Sequence, residues 1–77
     1  MNSSKRAVLR KACTIIREAT QMVNLVFDQE EESYSNVPET ISLAEKYVRM
    51  QDNLEMMEDA VAHLDDAVDV LEAVISN

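Results

Sequence analysis

Apolar residues recur every three or four positions over two long stretches of this chain, and a short polar stretch holding the single proline lies between them. The second stretch has the sharper pattern. Tyr47, Leu54, Val61, Val68 and Ile75 are spaced by seven residues, and so are Met50, Met57, Leu64 and Leu71. Two interleaved seven-residue series are the a/d pattern by which helices pack side by side, so the spacing predicts a helix over residues 39–75, with Leu43 extending the series upstream. Ala60, Ala67 and Val74 widen the stripe along one flank, while Met56 and Val70 occupy a position that a two-stranded coil leaves in water. A stripe of that width suits a helical bundle better than an isolated two-stranded coil. The short repeat EDAVAHL at 58–64 followed by DDAVDVL at 65–71 is the same period met twice, with a small residue beside a branched one.

The first stretch predicts a helix over residues 4–32. Val8, Leu9, Ala12, Cys13, Ile15, Ile16, Ala19, Met22, Val23, Val26 and Phe27 line one broad face, and the charged residues fall mainly on the other. Ser3 or Ser4 can cap its start by accepting a hydrogen bond from a free amide of the first turn. Lys5 and Arg6 sit at the positive end of the helix dipole, where a cation is unfavourable, so another reason for them is needed.

Residues 33–38 read as the hinge. Asn36 suits a helix N-cap, Glu39 stands three residues later as in a reciprocal capping box, and Pro38 needs no amide in a first turn. At ~1.5 Å per residue the first helix is about 40 Å long and the second about 50 Å. That match predicts one all-α domain over 1–77, a two-helix antiparallel hairpin. A hairpin of two such broad stripes still leaves apolar surface in water, and pairing two hairpins into a homodimeric four-helix bundle or similar coiled-coil-like oligomer would cover it. Leu9, Ile16, Val23, Tyr47, Leu54, Met57, Val61, Leu64, Val68 and Leu71 are the residues expected at the oligomer interface.

Composition narrows the picture. Seventy-seven residues bury little core, and a chain this short commonly needs disulfides, a metal or self-association. Cys13 is the only cysteine, so it cannot form an intrachain disulfide, and with His63 fifty positions away it does not make a zinc site. Self-association is what remains. Glycine is absent, which removes the usual phosphate-cradling loops and favours uninterrupted helices. No long uncharged apolar run suggests a membrane span or a secretory signal, and a reducing cytoplasm is the expected setting.

The formal net charge of −8 is unevenly spread. Lys5, Arg6, Arg10, Lys11 and Arg17 are opposed only by Glu18 in the first 27 residues, whereas Asp28, Glu30, Glu31 and Glu32 follow directly and the rest of the chain is strongly acidic. In an antiparallel hairpin the basic stretch lies beside Asp65, Asp66, Asp69 and Glu72, which favours that orientation. The five basic residues are candidate nucleic-acid contacts, but the acidic balance and the shortage of aromatic platforms make nucleic acid an alternative partner and not the expected one. Asp52, Glu55, Asp59, Asp66 and Asp69 form a negative surface on a rigid rod, suited to a partner protein with a basic groove.

Chemistry finds few footholds. Dimetal carboxylate bundles bring glutamates and Glu-x-x-His motifs inward, and no such motif occurs. His63, with Asp59 and Asp66 one turn away, reads as an exposed histidine on an acidic surface, and Cys13 as a buried inert thiol. Met22, Met50, Met56 and Met57 form an adaptable apolar surface of the kind used at interfaces, and Met56 is the one the a/d series does not require to be buried. No enzymatic activity and no cofactor are expected.

The order of features in DQEEESYSNVPETISLAEKY and LEMMEDAVAHLDDAVDVLEAV resembles the small uncharacterised acidic helical proteins encoded by phages and mobile elements of Firmicutes and related gut bacteria. The resemblance covers about residues 28–74 and is most specific at Tyr34, Asn36, Pro38, Glu39, Glu45, Lys46 and Tyr47. The chain departs from it where Leu43 and Ala44 precede Glu45 in place of a serine, and at His63. The resemblance implies a setting in which such a protein is an accessory factor or an inhibitor of a host or defence protein; it brings no activity to any residue.

Overall fold

A computed structural model describes residues 1–36 and 45–77. Helix α1 spans Ser3–Ser35 and helix α2 spans Glu45–Ser76. They pack against each other as an antiparallel pair, with Tyr34 beside Tyr47 at one end and Arg6 beside Asn77 at the other. The result is a rod of 60 × 15 × 13 Å, and no strand occurs among the described residues.

The seven-residue series of α2 becomes its buried stripe. Tyr47, Leu54, Val61, Val68 and Ile75, at position a, and Met50, Met57, Leu64 and Leu71, at position d, are buried or half-buried, and every other residue of the helix is exposed. Helix α1 answers with its own a/d series: Arg6, Cys13, Thr20, Phe27 and Tyr34 at a, with Leu9, Ile16, Val23 and Glu30 at d. Among the described residues Cys13 and Val68 are the two buried side chains, and the remaining seam residues keep one side in water. Three α1 seam positions are polar. Thr20 is accommodated because its hydroxyl donates to the Ile16 carbonyl one turn back, at 2.8 Å, and so leaves no polar group unpaired.

The ends of α1 differ from those the sequence suggested. Asn2 is the N-cap, not Ser3 or Ser4: its extended backbone turns the side chain back to accept from the Lys5 amide at 2.8 Å. The helix also runs three residues beyond Glu32, through a segment expected to be hinge. Its acidic run opposes the helix dipole by only tenths of a kcal/mol, whereas Tyr34 gains a stacked partner in Tyr47, with ring centroids 4.5 Å apart. Asn36 ends the first helix, its amide donating to the Glu32 and Ser33 carbonyls, and its expected role as cap of the second helix rests on residues outside those described. The expected roles of Pro38, Glu39 and Leu43, and the start of the second helix at 39, lie outside the described residues.

The awkward cations at the start of α1 find their reason here. Antiparallel packing sets that end beside the C-terminal end of α2, where helix carbonyls lack amide partners and a cation is favourable. Arg6 Nη2 donates to the main-chain carbonyl of Asn77 at 2.7 Å, although its enclosed Nε makes no hydrogen bond. One step further in, Arg17 pairs with Glu72.

Candidate interaction surface

A hairpin presents two broad faces, one on each side of its seam. In an antiparallel pair, position e of one helix neighbours e of the other and position g neighbours g, so e with b builds one face and g with c builds the opposite one. Named contacts fix the assignment. The Arg17–Glu72 pair joins e to e, and a shallow depression on the same side is lined by Arg10, Cys13, Thr14, Arg17, Glu72 and Ile75. On the other side, Met22 and Val26 of α1 share a depression of about 650 Å³ with Asn53, Met56 and Ala60 of α2, floored by Val23 and Met57 and bordered by Glu30.

The two faces have opposite chemistry. The e/b face carries Arg10, Arg17, Asp28 and Glu31 on α1, and Glu55, Glu58, Asp65, Asp69 and Glu72 on α2. On the g/c face, α1 presents Val8, Ala12, Ile15, Ala19, Met22 and Val26, and α2 presents Met56, Ala60, Ala67, Val70 and Val74 with His63 among them, while Lys5, Lys46 and Arg49 stand toward its ends. No aspartate or glutamate stands at g or c of either helix among the described residues, in a chain that has fifteen. Val8, Ile15, Met22, Val26, Met56 and Val70 are 50–69 % exposed, far from the 2 % of Cys13.

Each sequence-predicted group can now be placed. Leu9, Ile16 and Val23 lie on the same seam as Tyr47, Leu54, Met57, Val61, Leu64, Val68 and Leu71, so the ten residues expected at an oligomer interface are used first between the chain's own helices. Asp52, Glu55, Asp59, Asp66 and Asp69 are all exposed on positions f and b, the outer side of α2. The five basic residues do not share a face: Arg6 is on the seam, Arg10 and Arg17 are at e, Lys11 is on the outer edge and Lys5 at the end of the g/c face. Two of the five are already engaged, Arg6 with Asn77 and Arg17 with Glu72.

The g/c stripe of α1 was hidden within a single broad apolar face. Its signal is a second seven-residue series, Val8, Ile15 and Met22, interleaved with Ala12, Ala19 and Val26. At the far end of the seam, the adjacent Tyr47 side chain, together with partial burial and the nearby charge of Glu55, pushes the Tyr34 phenol above its ordinary value. Among the described residues, no group of three or more His, Cys, Asp or Glu side chains is placed to hold a metal ion, and no helix is long and apolar enough to cross a membrane. No protein-family model matches the chain, and no curated protein or solved structure matches it either.

Proposed function

We propose that this chain is a non-enzymatic protein-interaction module, a self-associating helical hairpin that offers the acidic outer side of α2 to a basic partner protein. The supporting observation is the sorting of charge around α2. Asp52, Glu55, Asp59, Asp66 and Asp69 lie together on its exposed outer side, away from α1, on a helix stiffened by an unbroken apolar seam. A rigid row of carboxylates attracts a groove lined with lysine and arginine, and occupying that groove blocks whatever anion it otherwise binds. In the setting implied by the resemblance to phage and mobile-element proteins, the target is a host or defence protein and the outcome is inhibition.

Affinity capture from bacterial lysate tests this reading when paired with the triple variant Asp52→Lys, Asp59→Lys and Asp66→Lys. These positions are exposed, so helix content by circular dichroism should be preserved. The expected result is a basic protein that the unaltered chain retains at low salt, loses at high salt, and that the variant does not retain at all. Equal retention by both chains would show that the acidic side is not the contact.

A further inference from the structure

We infer that the g/c face is where a second copy of this chain docks, giving a two-fold dimer of hairpins packed broad face to broad face. The inference deepens the self-association part of the proposed function by naming the surface.

Three observations choose a second copy over another occupant. The first is charge. Each chain carries a formal −8, so two copies repel wherever their carboxylates meet, and among the described residues the g/c face has none at its g and c positions, with Glu30 of the seam bordering its depression. A basic partner would favour the other surfaces. The second is shape. Position g points straight out of the face, and four of its residues are alanines, Ala12, Ala19, Ala60 and Ala67, while larger side chains such as Ile15, Met22, Met56 and Val70 stand along c. A low crest flanked by bulk on both helices is self-complementary, which an isologous two-fold contact requires, and small crest residues let helices approach closely. The third is area. Helices of 33 and 32 residues are about 50 Å long, and a face of that length and 15 Å width has about 750 Å² in projection, comparable with the roughly 800 Å² per partner of a stable interface.

Burial in the single chain points the same way. Among the described residues only Cys13 and Val68 are buried, and the half-buried seam residues next to g, such as Val23 and Met57, open into the depression on this face. A second copy laid over it would cover that opening and convert half-buried seam side chains into core.

The test is the mass of the 8.7 kDa chain in sedimentation equilibrium across micromolar concentrations. The unaltered protein is expected at twice that mass, with dimerisation strengthened by added salt as the like charges are screened. Met22→Glu and Val70→Glu, one on each helix of the face, are expected to raise the dimer Kd roughly a hundredfold or more by burying a charge. Gln21→Glu, on the opposite face, should leave it within about threefold. Unchanged dimer mass in both face variants would overturn the choice of face while leaving self-association standing, and an unaltered chain that stays single would overturn self-association without touching the acidic-surface experiment. If a face variant loses helix content instead, the melting temperature of the unaltered protein decides. A midpoint that rises with protein concentration supports the dimer, and a constant one overturns it.

Discussion

The e/b and g/c faces of this hairpin are built by the same two helices at the same residue spacing, yet the e and b positions are crowded with carboxylates and the g and c positions hold none among the described residues. Folding of the hairpin does not require that difference. The seam between the helices already takes the a and d side chains, and either broad face could be polar without altering it. An exposed apolar face costs solubility, and a chain with fifteen acidic residues could easily have placed some there. The contrast therefore separates two jobs that a hydrophobic pattern alone merges: holding α1 to α2, and holding the hairpin to something else.

The largest effect is expected where the two jobs meet, at the seam. Leu64→Asp puts a carboxylate at a d position of α2 that is half-buried against α1, at a cost on the order of 3 kcal/mol. A hairpin with two buried side chains among its described residues has little stability to spare, so helix content and dimer mass should fall together. That outcome contrasts with Met22→Glu, which is expected to separate the copies and leave the helices. If circular dichroism showed the same helix content and melting midpoint in Leu64→Asp as in the unaltered chain, the division between seam and face would collapse.

How much could be read in advance differs between the two helices for a physical reason. The seam of α2 was legible residue by residue, because all nine of its a and d positions are apolar and the seven-residue spacing is unbroken. The seam of α1 was not, since Arg6, Thr20 and Glu30 occupy it and their fitness depends on partners that no local pattern shows. Arg6 belongs there because Asn77, seventy-one residues away, brings a carbonyl to it; that is a property of the antiparallel register and not of the surrounding sequence. Its apolar residues also serve two surfaces at once, so Val8, Ile15 and Met22 merged with Leu9, Ile16 and Val23 into one wide stripe. The hinge was misjudged for a related reason. Glu30, Glu31 and Glu32 read as the end of a helix, but Tyr34 continues the seam and its stack on Tyr47 carries the helix past them.

A smaller effect is expected at that stack. The Tyr34 phenol is held above its ordinary value of 10.0 by the adjacent Tyr47 side chain, partial burial and the charge of Glu55, so the folded state favours the neutral form. Its contribution is fully present below pH 10.0 and is lost as pH rises through the raised value, because the unfolded chain then releases the proton more readily than the folded one. Thermal melts of the unaltered protein and of Tyr34→Phe across that window check it. The unaltered protein should lose melting temperature more steeply than the variant as pH rises; parallel curves would mean that the ring and not the hydroxyl is what matters at this end of the seam.

The smallest effect belongs to the polar face itself. Arg17 and Glu72 pair across the e positions, but their side chains are 53 % and 49 % exposed, and ion pairs open to water contribute about 0–1 kcal/mol, less as salt rises. Arg17→Ala should therefore lower the melting temperature by a few degrees at low salt and by almost nothing near 1 M salt, with dimer mass unchanged throughout. The same substitution separates orientation from adhesion. If the pair's main role is to make the antiparallel alignment preferable to others, Arg17→Glu, which turns attraction into repulsion beside Glu72, should destabilise the hairpin by more than the loss of the pair alone. Double-mutant analysis with Glu72→Arg restores opposite charges in swapped positions. Recovery of most of the lost stability would place the effect in the pair; no recovery would mean that the polar face contributes nothing to holding α1 against α2 and serves outside contacts alone.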